Sequence, residues 1–371
     1  MEAHLIDVPN RHRAEGYISS TQQFQSKAQY IRWHCVTLIV KLAVDGESTT
    51  RADSLSQVSV VVAGRNRRET LRLCLNSILS SSERPAEVIY VYTGSCGAFV
   101  EDISREFPTV AVMTAQGGNP QDARNLGAEK TRSEWILFCD DDVVLEHDAI
   151  ERMFKIARTH ERVGLIGGRR IISKGQLPSS DGFSSYCIMS AAWLPREGTM
   201  KVWNGPLLVY AVRNIYLVRR WIFERIGGWC STLFIQFDEV YLSAAVNSIG
   251  YDICCVFEAE YEDLNDRRSI LASAPIPELG ITRNALGIRN ALYVAAVSLP
   301  YALVLVLLPA LIVYFFLRSV FTNTLVELSA ALRSFFLVAG RLSTDRLRFP
   351  HRSTISRLMN MLKLVSEKVL A

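Results

Sequence analysis

One stretch constrains this chain more than any other: Trp135-Ile136-Leu137-Phe138-Cys139-Asp140-Asp141-Asp142. An apolar run of that length between helix-like segments reads as a buried strand of a parallel sheet, and it ends in three adjacent carboxylates. Like charges at the carboxyl end of a buried strand repel one another, and open α/β sheets bind ligands at those ends. A hard divalent cation with oxygen ligands would relieve that repulsion. The competing reading is a solvated Asp-rich turn capping a helix that starts near His147.

The surrounding pattern repeats the strand-helix alternation. Val58 to Ala63 is a β-branched run, followed by Gly64-Arg65-Asn66-Arg67-Arg68 and a helical face of Leu71, Leu75, Ile78 and Leu79. Glu87 to Tyr92 reads as a second strand ended by Thr93-Gly94-Ser95, and Thr109 to Met113 as a third. Asn119 can cap a helix whose first position is Pro120. This alternation predicts a doubly wound, mostly parallel sheet flanked by helices and joined by right-handed crossovers. No Gly-x-Gly-x-x-Gly follows the first strand and no Gly-Lys-Ser/Thr loop occurs, which argues against dinucleotide oxidoreductases and P-loop NTPases.

A net charge of +4 argues against wholesale nucleic-acid binding, so the placement of the basic residues matters more than their number. From Arg318 onward there are nine Lys/Arg against three Asp/Glu. The eight cysteines and six histidines are scattered without zinc-like spacing and read as reduced thiols and isolated rings in a cytosolic domain. Residues 1–56 carry no recognisable chemistry. Tyr30 to Val44 reads as a strand or hairpin, and the opening lacks the pattern of a signal peptide.

Two ordered blocks of motifs carry a resemblance. The first runs through Val58-Ser59-Val60-Val61-Val62, Asn66-Arg67, Glu87-Val88-Ile89-Tyr90-Val91, Gly94-Ser95, Ala123-Arg124-Asn125-x-Gly127 and Phe138 to Asp142. The second comprises Asn214 to Arg220, Phe223 to Trp229, Phe237 to Leu242 and Gly250-Tyr251. Together, over about residues 57–266, they resemble the inverting family-2-type nucleotide-sugar glycosyltransferases of GT-A fold. That resemblance implies a 57–266 catalytic domain between a 1–56 extension and a 267–371 C-terminal helical region.

It also implies roles. Asp142, with Asp140 as second candidate, would ligate Mg²⁺ or Mn²⁺, while Asp140 or Asp141 would contact the ribose or a metal-bound water. Arg65, Asn66 and Arg67 would line the nucleoside pocket, and Arg124 would meet diphosphate charge. Glu239 or Asp238 would take the proton from the acceptor hydroxyl, and Gly228 and Trp229 would form the acceptor turn and a sugar platform. The chain departs from the family at three places. Tyr92-Thr93 stands where a base-binding Asp is usual, so that Tyr92 could stack on the base instead; Asp238-Glu239 reverses the usual Glu-Asp order; and Glu262-Asp263 replaces a usual His.

Ala291 to Leu317 are 27 residues without a charge, broken by Pro300 and Pro309, enough for one kinked span or a shallow hairpin. A crossing would put the basic tail opposite the catalytic domain, against the positive-inside tendency, so re-entry or in-plane attachment at the cytoplasmic face is expected. A buried pair of core helices is the soluble alternative. Ile355, Leu358, Leu362, Val365 and Val369 predict an amphipathic helix for anionic lipid, or a short dimer seam. The expected partners are a nucleotide-sugar donor, a glycan or lipid-linked acceptor and a membrane, with no nucleic acid. A polyprenyl-phosphate sugar synthase, a non-catalytic nucleotide-binding scaffold and a nucleotidyltransferase that would release pyrophosphate are the rivals.

Overall fold

The computed structural model describes residues 58–171, 207–208, 211–264, 275–276, 278–346 and 349. The strand or hairpin expected at Tyr30 to Val44 and the amphipathic helix expected at Ile355 to Val369 lie outside those residues.

The strands are β1 (Val58–Gly64), β2 (Glu87–Tyr92), β3 (Val110–Thr114), β4 (Trp135–Asp140), β5 (Val143–Leu145), β6 (Val163–Ile171), β7 (Leu207–Leu208), β8 (Ile215–Arg219) and β9 (Asp252–Asp263). They form one sheet in the order β3-β2-β1-β4-β8-β6-β9-β5, with β7 also on β9. Between them run α1 (Arg68–Leu79), α2 (Gly97–Glu106), α3 (Pro120–Lys130), α4 (Ala149–Thr159), α5 (Arg220–Arg225) and α6 (Asp238–Ser248).

The sheet is mixed, so the expectation of a mostly parallel one is met only in part, by the β3-β2-β1-β4 half and the β6–β9 pair. The half from β3 to β4 is parallel throughout, but β8 lies antiparallel between β4 and β6, and β5 and β7 are antiparallel to β9. The physical reason is that a strand covered on both faces shows the same unbroken apolar run in either direction, as Ile215 to Val218 does between its two neighbours.

Side-chain alternation along β1 divides the interior. Val58, Val60 and Val62 face a core with Leu71, Leu75, Tyr90 and Leu137, whereas Val61 faces one with Phe138, Tyr216 and Trp229. Burying each such large apolar side chain contributes roughly 1.5–3 kcal/mol. On the second face α3 approaches β1 closely, because Gly127 presents no Cβ; one there would collide with the Val61 side chain. Asn119 caps this helix by accepting from the Gln121 N–H at 2.9 Å, and Pro120 opens it without an N–H to satisfy. A tight helix with a fixed start delivers its first turn to the carboxyl ends of β1 and β4.

Beyond the sheet, β10 (Pro275–Ile276) and β11 (Ile281–Thr282) form a small hairpin leading into α7 (Arg283–Ser298), α8 (Tyr301–Phe321), α9 (Leu325–Val338) and α10 (Leu342–Arg346). The 27-residue uncharged stretch is divided at Pro300. The α7 part is buried, with Leu292, Tyr293 and Val297 in the same core cluster as Trp229. The α8 part is largely exposed, continues through Pro309, and is the one helix among the described residues long and apolar enough to cross a membrane. Asn284 in the first turn of α7 donates to Glu327 in the first turn of α9 at 3.5 Å, and Ala331 and Phe335 of α9 join the core. The distal end of α8 therefore returns to the start of α7.

Candidate active site

Parallel pairing sets Ala63 opposite Asp140, so the loop leaving β1 emerges beside the acidic end of β4. Arg67 donates through Nη1 to Asp142 at 2.6 Å and to Asp141 at 3.2 Å, and the Arg65 backbone N–H donates to Asp141 at 3.3 Å. Asn66 makes the bend with φ of 54°, a left-handed conformation that Asn tolerates better than most residues. The Tyr92 hydroxyl donates to Asn66 Oδ1 at 2.5 Å. The side chain of Arg65 turns away to ion-pair with Glu278 in the β10–β11 turn.

Burial drives the electrostatics here. Asp141 and Asp142 are buried, and desolvation raises the Asp141 carboxyl to about 7, with Arg67 opposing and the neighbouring Asp142 and Asp140 reinforcing the rise. Desolvation also raises Asp140, against the pull of Arg124. Arg67 is raised even though burial acts against its charge, because Asp141, Asp142 and Asp140 surround it. The triplet is thus no solvated turn: it is an acid-rich pocket with less positive charge than it can accept.

Arg124 joins this pocket to a second one. From the first turns of α3 its Nη2 reaches Asp140 at 2.5 Å and its Nη1 reaches Asp238 at 3.1 Å, while the guanidinium lies 4.8 Å from the centre of the Trp229 ring. Gln121 completes the bracket, donating to Asp238 at 2.8 Å and to the Phe234 carbonyl at 2.8 Å and accepting from Arg124 at 3.0 Å. Desolvation opposes the Arg124 charge, but Asp140 and Asp238 outweigh it and raise its pKa.

Asp238 and Glu239 open α6, both buried. One oxygen of Asp238 already accepts from Gln121 and Arg124, which suits it to holding Arg124. Glu239 faces the Arg213 guanidinium at 3.5 Å. Burial first, and then the negative charge and hydrogen bond of Asp238, raise Glu239 to about 8, with Arg213 pulling the other way. A carboxyl that titrates near neutral pH can both accept and return a proton.

Other expected site residues have different surroundings. The Tyr92 ring is 1% exposed and stacks on Phe99 with centroids 4.9 Å apart, so it offers no face to a base. Trp229 is also 1% exposed, edge-on to Phe138 and Tyr216; it supports Arg124 from the core and presents no platform to a sugar. Gly227 and Gly228, with φ of 77° and 71°, form the turn before it. A Cβ at Gly228 would stand 2.6 Å from Asn125 Oδ1, the atom that accepts from the Trp229 N–H at 2.9 Å. Asn125 Nδ2 returns a bond to the Trp229 carbonyl at 3.0 Å, so this side chain clamps the turn.

Among the described residues no three His, Cys, Asp or Glu side chains are gathered as a preformed metal site. The donor chemistry nevertheless fits a hard cation, since the carboxylates of Asp140 and Asp142 share one pocket, in which Asp142 is buried and desolvation disfavours the charge of Asp140. Arg67 stands on the Asp142 oxygen such an ion would share. Asp263 is paired in register with Val143, next to Asp142, and accepts from Asn214 at 3.1 Å.

Sequence reasoning missed Gln121 and Arg213. Their signals were faint: a polar residue just after the Pro120 helix start, and a cation directly before Asn214.

Residues 59–225 match the profile of Glycosyl transferase family 2. A glycosyltransferase of Haemophilus influenzae, described as uncharacterized, is 25% identical over 109 residues, which is 29% of this chain and 37% of that protein. Glycosyltransferase GlyA of Streptococcus pneumoniae is 28% identical over 103 residues, covering 27% of this chain and 15% of that one. The matched stretch is thus well under half the length of these curated relatives. Among solved structures, the mannosyltransferase PcManGT from Pyrobaculum calidifontis, in complex with GDP-Man and Mn²⁺, aligns with a TM-score of 0.49 and 17% identity over 85% of this chain and 96% of that one. The family and sequence matches support a glycosyltransferase.

Proposed function

We propose, from the premise that residues 59–225 match a glycosyltransferase family, that this protein moves a sugar from a nucleotide-sugar donor to a hydroxyl of a glycan or lipid-linked acceptor, with inversion, in cell-surface polysaccharide or glycoprotein glycan synthesis. The observation that carries the reading is Arg124, which joins the acidic end of β4 to the acid pair of α6 and so brings a pocket for charge and a pocket for a proton within one side chain of each other.

The division of labour follows from the surroundings. Mg²⁺ or Mn²⁺, held by Asp142 and Asp140, would supply positive charge for the departing diphosphate. Arg65, Asn66 and Arg67 bind the nucleoside side of the donor, with Asp141 and Tyr92 fixing that loop from beneath. Arg124 shares in neutralising the diphosphate. Glu239 takes the acceptor proton, because Asp238 is committed to Arg124 and Gln121. The attacking oxygen enters opposite the diphosphate, so one displacement inverts the anomeric centre. Gly228 shapes the acceptor side through its turn.

Membrane association is supported by α8, whose 21 residues rise about 31 Å at 1.5 Å each, close to the thickness of a hydrocarbon core. Because α9 returns to pack on α7, we place α8 in the plane of the cytoplasmic face, where the basic excess from Arg318 onward meets anionic lipid. The arginines beside the acid pair favour a second reading, in which a polyprenyl phosphate is the acceptor and no base is needed.

Nucleoside diphosphate release from UDP-, GDP- and dTDP-sugars, with Mn²⁺ or Mg²⁺ and native lipid extract, tests both. Metal-dependent release from one donor, lost in Asp142→Asn and in Glu239→Gln, is expected. Release that survives Glu239→Gln and needs a polyprenyl phosphate selects the second reading. Nucleotide binding without release across the panel would leave the nucleotide-binding scaffold.

A further inference from the structure

The segment that leads into Glu239 is held in a shape its own residues disfavour. Phe234, Gln236 and Phe237 have φ of 67°, 65° and 59°, the left-handed region that is uncommon for any residue with a Cβ and rarer for bulky ones. Three such residues within four positions persist only where the surroundings over-determine them.

Those surroundings are two consecutive side chains of α7. The Asn290 amide nitrogen donates to the carbonyls of Leu233 at 2.9 Å, Ile235 at 2.7 Å and Gln236 at 2.7 Å, its two hydrogens shared among three acceptors. Arg289 Nη2 donates to the carbonyls of Thr232 at 2.7 Å and Leu233 at 3.1 Å. The pair is locked together, since Asn290 Oδ1 accepts from Arg289 Nε at 2.8 Å and Nη2 at 2.5 Å. Both are buried, at 3% and 0% exposure. The turn thus points a ring of carbonyl oxygens inward, and a buried cation and amide fill it. From the opposite side Gln121 holds the Phe234 carbonyl and Asp238 at once, so the segment is gripped between α3 and α7.

We propose that Arg289 and Asn290 are positioning residues: by fixing residues 232–237 they set where α6 begins, and so where Glu239 meets the acceptor. This rests on the reading of Glu239 as the base. It ties the chemistry to the membrane, because α7 runs straight to Pro300 and the apolar α8. An apolar side chain at position 290 would fill the same volume, whereas the Asn290 amide also supplies N–H donors to the carbonyls of Leu233, Ile235 and Gln236.

The test uses the full chain as wild type, Asn290→Ala and Arg289→Lys. It reads amide hydrogen exchange over 232–239, thermal midpoint, affinity for UDP and GDP, and kcat. Expected in Asn290→Ala is exchange over 232–239 faster by roughly ten-fold or more, with exchange in β1 and β4 unchanged. We expect kcat to fall about 10- to 100-fold, the scale of a misplaced reacting group, while nucleotide affinity stays within about two-fold. Arg289→Lys, which keeps the charge but loses the fork, should move the same readouts less; should Asn290→Ala not fold, this variant carries the comparison. Unchanged exchange with unchanged kcat overturns the proposal, and so does a fall in kcat matched by equal losses in affinity and thermal midpoint. If wild type turns over no donor, the transfer reading fails, and the exchange comparison alone decides whether Arg289 and Asn290 hold the segment.

Discussion

Asp141 and Asp142 at the end of β4 and the two acids at the start of α6 are buried, yet the two clusters lean differently on arginines and on protons. Asp140, Asp141 and Asp142 are met by arginines, with Arg67 at 2.6 Å from Asp142 and Arg124 at 2.5 Å from Asp140. In the α6 pair Asp238 takes the other arm of Arg124, and Glu239, left with Arg213 at 3.5 Å, is raised to about 8 and holds a proton instead. A pocket neutralised by cationic side chains can exchange one of them for another cation. A pocket neutralised by a proton can do acid-base work.

The sharpest way to break this contrast is to remove the residue that serves both sides. Arg124→Met leaves the buried Asp238 and the part-buried Asp140 without their shared cation, and breaking a buried pair typically costs about 3–5 kcal/mol. Urea denaturation should show a loss of that order, together with loss of turnover. A loss below about 1 kcal/mol would mean that the two clusters stand independently of Arg124.

Glu239→Gln touches only the proton side. Turnover should drop by roughly 10²- to 10⁴-fold with the fold intact. The sign of the pH effect follows from the folded value of about 8 against the ordinary 4.5. The folded state then binds the proton more tightly than the unfolded one, so this group's contribution to stability falls as pH rises from about 4.5 to about 8 and is level above. The Gln variant lacks that loss, so denaturation at pH 5 and pH 9 should show it gaining on wild type at the higher pH. Wild-type activity should rise through pH 8 over the same range. A pH-rate profile flat between pH 6 and 9 would remove Glu239 from proton transfer.

The two clusters were unequally legible in the sequence. The β4 triplet declares itself because one strand and the turn leaving it supply all three acids and its apolar run fixes where they stand; likewise the Asn119-Pro120 start placed α3, and with it Arg124. The α6 pair could be found as two acids opening an apolar segment, but not what distinguishes them. That depends on Gln121 and Arg213, 92 positions apart in the chain, which only the fold brings against Asp238 and Glu239. Tyr92 and Trp229 show a further limit: aromatic type suggests stacking, whereas burial decides on what, and their faces are taken by Phe99 and Arg124. The antiparallel β8 was illegible for a similar reason, since two-sided burial erases direction from the pattern.

Asp142→Asn tests the exchangeable side. The amide keeps the volume but removes the charge on which Arg67 rests and a divalent ion would rest. Binding of UDP or GDP should lose its dependence on Mn²⁺, weakening by about ten-fold, as expected from hydrogen bonds to charged groups worth roughly 1.5–3 kcal/mol. Unchanged metal-dependent affinity would move the ion elsewhere in the pocket.

The smallest expected effect separates two meanings of one ring. If Tyr92 stacked on a nucleobase, Tyr92→Phe would keep the stacking face and leave nucleotide affinity untouched. In the fold that ring already stacks on Phe99, and it is the hydroxyl that reaches toward the donor loop by donating to Asn66 at 2.5 Å. Asn66 bends the chain with φ of 54° between Arg65 and Arg67, so loosening it loosens both flanking contacts to Asp141. Tyr92→Phe should therefore weaken UDP or GDP binding about two- to five-fold, within the roughly 0.5–1.5 kcal/mol of one hydrogen bond, without changing the pH profile set at Glu239. An affinity equal to wild type would separate the Asn66 bend from donor binding, and a shifted pH profile would show that the two acid clusters are coupled through more than Arg124.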